Sequence, residues 1–287
     1  MSASVLRRPG GSRSARARPL RGGPDPLRRF APPPPKGRKG PSLTRPDAGA
    51  VIYHGFKGGG VPGGNWYRMG SGTKHAPLLD LERLPKVERE TAEFIGHGLG
   101  NLGRYCDEVE AADLLLGMSE VRSEEMLKSP RVGQRTADFR NELSVLTRWM
   151  HIAARHGAFT IYNFGKEIAG IASNLKDCPV LQSVIDEKEW RTGGKLFARH
   201  FPNFEQVRNS AGHAGERNTP KAERTHRPKD APYILNSLFG RSFTTSVEGR
   251  IVSYDLNPET VSLLVNIRDQ YWGAFSAIDR LAQTEEE

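Results

Sequence analysis

The stretch FRNELSVLTRWMHIAARHGAFTIYNFGKEIAGIASNL, residues 139–175, decides the fold. Its apolar or small positions run Phe139, Leu143, Leu146, Met150, Ala153, Gly157, Thr160, Phe164, Ile168, Ile171 and Leu175, in steps of four and three. Only an α-helix returns side chains to one face at that spacing. One helix of about 60 Å at 1.5 Å per residue is therefore expected, packed lengthwise in a bundle. Gly157 is where such a helix is expected to kink, and Asp177 to Pro179 end it.

Working outward, a second helical pattern begins near Leu84 and places Val87, Thr91, Phe94, Gly98, Leu102, Tyr105, Val109, Ala112 and Leu116 on one face. Glycines at 96, 98, 100 and 103 interrupt it, each costing roughly 1 kcal/mol against Ala in a helix interior. Either the helix breaks there or a neighbour approaches its backbone closely. Downstream, a shorter helix is expected over Leu181 to Glu189, with Trp190 as a core anchor. Pro202 stands where a first helical position would be, followed at core spacing by Phe204, Val207 and Ala211. Gly215 to Pro232 reads as a polar loop, and Phe243–Val247 and Arg250–Leu256 flank Glu248-Gly249 as a hairpin would. The closing helix is the best marked, with Asn257 as N-cap, Pro258 as first residue and Glu259 in the first turn. The fold class is all-α: a helical bundle over residues 84–287 with one β-hairpin inserted at about 242–256.

Two further regions precede the bundle. Residues 1–50 are rich in Arg, Pro, Gly and Ser, a composition that buries too little apolar surface to offset ordering entropy, and they are expected to be disordered. Residues 51–83 form a Gly-rich arm with Tyr53, Phe56, Trp66 and Tyr67 spaced through it; no Gly-Lys-Ser/Thr follows, so it is no phosphate loop. The formal charge of +9 belongs to the tail: residues 1–47 hold twelve Lys/Arg and two acids, a net +10, which leaves −1 for the other 240 residues. Overall basicity therefore says nothing about nucleic-acid binding by the body, although the tail's cations can hold phosphates in a salt-dependent way. The two cysteines, Cys106 and Cys178, fit neither a disulfide framework nor a zinc ribbon, and no run of about 18 apolar residues occurs. A reduced, cytoplasmic protein without a membrane span is expected, and no His/Cys/carboxylate spacing calls for a metal or other cofactor.

One hexapeptide carries chemistry. Arg208-Asn209-Ser210-Ala211-Gly212-His213 sets a fixed positive charge, an amide and an imidazole within six residues on its own short helix. A guanidinium grips a phosphate with two parallel hydrogen bonds, and imidazoles move protons near neutral pH. A second Arg-to-His spacing, Arg68 to His75, falls in the Gly-rich arm, outside any bundle helix. Residues five apart lie about 140° apart on a straight helix, so Arg208 and His213 share a face only if the chain bends, and Gly212 offers the place. The plainer reading of the same residues is structural: Arg208 paired with Glu205 or Glu216, His213 at a helix C-terminus, Asn209 an exposed amide.

The hexapeptide within an all-helical domain resembles the Arg-x4-6-His motif of the HEPN superfamily, with Arg208 matching the family's Arg, Asn209 its usual polar neighbour and His213 its His. The architecture is similar over about residues 86–283. The resemblance implies a metal-independent endoribonuclease acting on RNA, a toxin-antitoxin or abortive-infection (defence) component restrained by an antitoxin or regulatory protein, and a homodimer whose two motifs form a composite site. It implies proton transfer by His213, stabilisation of phosphorane charge by Arg208 and orientation by Asn209. A non-catalytic helical-bundle module binding a protein partner or nucleic acid is the alternative. Inserted hairpin and long arm are additions to the family's minimal bundle.

Overall fold

The computed structural model describes residues 75–129 and 136–280. The expected disordered tail, the arm up to residue 74 and the acidic C-terminal end lie outside the described residues.

Two long helices form the spine: α1 (Lys86–Lys128) and α2 (Ala137–Leu175). They run antiparallel, since Asn101 donates to Glu167, Thr160 to Glu108 and Arg122 to Glu142, at 3.3, 3.3 and 2.9 Å. Residues 139–175 thus form one helix as their periodicity predicts. It starts two residues earlier, where Thr136 Oγ1 accepts from the Phe139 N–H. Leu146, Ala153, Gly157, Thr160, Phe164, Ile171 and Leu175 are buried, whereas Phe139, Leu143, Met150 and Ile168 are half-buried. The helix continues unbroken through Gly157; a Cβ there would stand 2.8 Å from the Tyr254 hydroxyl and 3.2 Å from Leu256. That glycine serves close approach of a strand rather than a kink.

The glycines of α1 resolve the same way. α1 is continuous, and a Cβ on Gly98 would meet Ile171 at 2.8 Å, one on Gly103 the Trp272 ring at 3.0 Å. The expected apolar face of α1 is offset at its start. Val87 and Phe94 are 86% and 61% exposed, and Glu88, Ala92, Ile95 and Leu99 point inward instead. The inward Glu88 has a task that sequence reading passed over. Its two carboxylate oxygens accept from the Val180 and Leu181 N–H groups, each at 3.2 Å, capping α3 (Pro179–Val184) in place of a local side chain.

The region after α2 is more helical than expected. α3 ends at Val184 rather than Glu189, and a separate helix α4 (Glu187–His200) follows, begun by the Asp186 carboxylate accepting from Lys188 and Glu189 N–H groups. Trp190 is the anchor expected, edge-on to Tyr271 at 4.7 Å. After α5 (Phe204–Gly212), the supposed loop at 215–232 contains α6 (Ala214–Arg217) and α7 (Pro220–His226). Thr219 caps α7 through its side-chain oxygen.

The hairpin is present, β2 (Ser242–Val247) with β3 (Arg250–Asp255), turning at Glu248 and Gly249, whose φ angles of 50° and 76° are those of a tight two-residue turn. A third strand, β1 (Ser237–Phe239), pairs antiparallel with β2 in the order β1-β2-β3. Arg241, between β1 and β2, ties the sheet to α1 through Asp113 at 2.6 Å and Glu120 at 2.9 Å. Gly117 leaves room for it: a Cβ would lie 2.7 Å from Arg241 Nη2.

The closing helix α8 (Pro258–Ala274) starts as read, with Asn257 Oδ1 accepting from the Thr260 N–H at 2.9 Å. Leu264, Tyr271, Trp272 and Phe275 enter the core, and Trp272 Nε1 donates to the Leu99 carbonyl. The end of the expected arm is docked on the bundle: Leu79 is buried and bridges Asp279 beyond α8. Cys106 and Cys178 are buried free thiols, and burial pushes Cys106 up to about 12, which leaves it inert. No helix among the described residues is long and apolar enough to cross a membrane.

Candidate active site

α5 carries the hexapeptide between α2 and the sheet. It begins at Phe204, two residues after the position that Pro202 marked. Val207, Ser210 and Ala211 are its buried positions. Ser210 is a clamp to the sheet: its hydroxyl lies 2.6 Å from Thr245 Oγ1 and 2.9 Å from Asn236 Oδ1, while Asn236 Nδ2 donates to the Ser210 carbonyl. Satisfied buried hydrogen bonds of this kind hold a helix in one register. The residues on either side of Ser210 are thereby fixed for use.

Arg208 lies on the α2 side. Its guanidinium stacks over Tyr162 at 4.8 Å and Phe159 at 5.5 Å, and Nη1 donates to Asn209 Oδ1 at 3.2 Å. Neither acid suggested by the sequence pairs with it. Glu205 is bonded to Lys166, and Glu216 to His213. Arg208 Nε is buried without a hydrogen-bond partner, which is rare for so strong a donor. So this cation is held by ring faces and an amide, with no carboxylate neutralising it.

His213 sits where the helix breaks. α5 ends at Gly212, and His213, at φ −106° and ψ 29°, is both its C-cap and the residue before α6. The helix therefore ends at the position that Gly212 marked. Arg208 Nη1 lies 3.9 Å from the point where a Cβ on Gly212 would stand. The imidazole side chain is 53% exposed, with Nδ1 at 3.2 Å from Glu216 Oε1. A carboxylate there favours the tautomer with its proton on Nδ1, which leaves the lone pair on Nε2.

Glu216, offered by the sequence as a partner for Arg208, instead pairs with His213, three residues before it, a spacing that brings side chains together on a helix. Arg155 was not legible: its Nη2 donates to the Ala211 carbonyl at 3.0 Å across 56 residues, satisfying an orphan carbonyl and bringing a second cation to the end of α5. Phe159 and Tyr162, the shelf under Arg208, looked like any other residues on a long helix. His97, His151 and His200 take no part in this arrangement, and among the described residues no three His, Cys, Asp or Glu side chains are grouped as metal ligands are.

Compared with protein-family models, curated proteins and solved structures, the chain matches none.

Proposed function

We propose that this protein is a HEPN-type endoribonuclease acting without a metal, with its site at the end of α5. The observation that carries the reading is a guanidinium without a carboxylate partner on the helix that ends beside His213. Arg208 lacks a carboxylate partner, and its head comes close to the residue preceding His213. In the proposed reaction the His213 Nε2 lone pair takes the proton of a ribose 2′-hydroxyl as its oxygen attacks the adjacent phosphorus. The P–O5′ bond breaks, the imidazolium returns the proton to the departing 5′-oxygen, and the products end in a 2′,3′-cyclic phosphate and a 5′-hydroxyl. Arg208 meets the charge that develops on the non-bridging oxygens; Asn209 and Glu216 position Arg208 and His213.

A second copy of the chain is the partner this reading takes, in line with the composite site of the HEPN resemblance. Val145, Trp149 and Ile152 of α2, with Met118 and Val121 of α1, are exposed large apolar side chains on neighbouring helices. Antiparallel pairing of two α2 helices about the midpoint of that stripe would set Val145 opposite Ile152 and Glu142 opposite Arg155. The same face supports the second reading, a non-catalytic module that docks a protein through it. A role as toxin or defence component, restrained by an antitoxin or regulatory protein, follows from the family resemblance alone.

Incubation of the purified protein with single-stranded RNA in EDTA tests the function. Cleavage with 2′,3′-cyclic phosphate ends, abolished in His213→Ala, is the expected outcome. RNA left intact across buffers and salt, or cut equally by His213→Ala, removes the enzyme reading and leaves the docking module.

A further inference from the structure

A cavity of about 250 Å³ opens beside the start of α5. Its floor is apolar, made by Ala158 and Ile161 of α2 and Val207 of α5; Phe201, Phe204 and Tyr254 form aromatic walls. Around the rim stand Arg199, His200, Asn203 and Ser253. None of the four side chains makes a hydrogen bond or ion pair with another described residue, so their polar groups are free to meet a ligand. Asn203 occupies the N-cap position of α5, where an Asn side chain ordinarily accepts from the helix's first N–H groups, yet it makes no capping bond. Its amide is left to face outward.

We infer that this cavity receives a nucleobase of a single-stranded RNA. The inference rests on the ribonuclease reading for its ligand class and goes beyond it in assigning a base-recognition subsite. A nucleobase has flat apolar faces and a polar edge, which match aromatic walls bordered by an amide and a hydroxyl. The flanking phosphate needs a cation, and Arg199 and His200 supply it at the rim. Phe204 links the cavity to the candidate active site: it forms one wall, its ring meets Tyr162 at 6.0 Å, and Tyr162 carries the Arg208 guanidinium. Phe204 and Arg208 are four residues, about one helical turn, apart. A strand seated by one base in the cavity is thereby placed with a neighbouring phosphate within reach of Arg208.

The test uses the full chain and a fluorescein-labelled decanucleotide with 2′-O-methyl riboses, which cannot be cut through a 2′-hydroxyl, with binding read by fluorescence anisotropy. Arg199→Glu should weaken binding about tenfold. Ser253→Trp, which fills the cavity from an exposed position on β3, and Asn203→Leu, which removes the amide at similar size, should each do the same. Lys86→Glu, an equal charge change at the start of α1, should stay within about twofold. An abasic version of the oligonucleotide should bind wild type about as weakly as the intact one binds Ser253→Trp. Undiminished binding by Ser253→Trp and Asn203→Leu, equal affinity for the abasic strand, or an equal loss in Lys86→Glu overturns the subsite. Because the probe is uncleavable, failure of the nuclease reading shows in the cleavage assay alone, and failure of the subsite in this one.

Discussion

Replacing Arg208 by Ala separates chemistry from packing because the structure bounds what Arg208 contributes to stability. Its guanidinium makes two ring contacts and one hydrogen bond to an exposed amide, and no ion pair. Cation–π contacts at partly exposed sites contribute about 0.5–1 kcal/mol each, and a neighbouring-residue hydrogen bond about 0.5. The loss of stability is therefore about 1.5–2.5 kcal/mol, lessened by releasing the unpartnered Nε from its buried position. For a folded body of this size that corresponds to a fall in Tm of roughly 3–10 °C. Losing a preorganised donor aimed at developing oxyanion charge costs on the order of 10²–10³ in kcat. Arg208→Ala should thus remain folded at 25 °C by circular dichroism, melt a few degrees lower, and cut RNA at least a hundredfold more slowly. Arg208→Lys keeps the charge but not the two-pronged grip or the ring stacking, and should recover only part of the rate. The reasoning fails if Arg208→Ala cleaves within threefold of wild type, or if the variant loses more than about 12 °C, which would make Arg208 a structural residue.

Other outcomes follow from parts of the fold away from the site. Arg241→Met leaves Asp113, a buried residue of α1, without its cation, and should cost roughly 3 kcal/mol; pairing it with Asp113→Leu should restore most of that, as urea denaturation will show. His226 accepts the Glu248 N–H through Nδ1 at 3.1 Å, and burial, then the Arg217 charge, hold its imidazole below the ordinary histidine range, with Glu248 opposing. A depressed value in the folded state means this contribution is complete above about pH 6.5 and is lost as pH falls through the folded value. Protection of the Glu248 amide from hydrogen exchange, corrected for intrinsic rate, should drop between pH 7.5 and 5; constant protection would contradict this. Light scattering should find a mass near twice 31.8 kDa for wild type and one chain for Trp149→Glu, while a monomeric wild type would rule out the α2-to-α2 pairing.

Local signals were legible wherever they sufficed. The four-and-three spacing over 139–175 and the Asn257-Pro258-Glu259 start each specify a helix through backbone geometry alone, and the structure contains both. Equally local signals were passed over. Asp186 before Glu187 and Glu189, and Thr219 before Pro220, open α4 and α7 by the same capping chemistry that was read at Asn257.

By itself the sequence determined the helical period, the hairpin turn and the break at Gly212, because each depends on the dihedral preferences of a few neighbouring residues. Only the tertiary structure decided which face of α1 is buried, why Gly98 and Gly157 are glycines, and what surrounds Arg208. Those outcomes depend on partners far along the chain: Ile171 for Gly98, Leu256 for Gly157, Tyr162 for Arg208. The helical period says that such residues lie on a face, but the packing of one helix on another selects which face meets which neighbour.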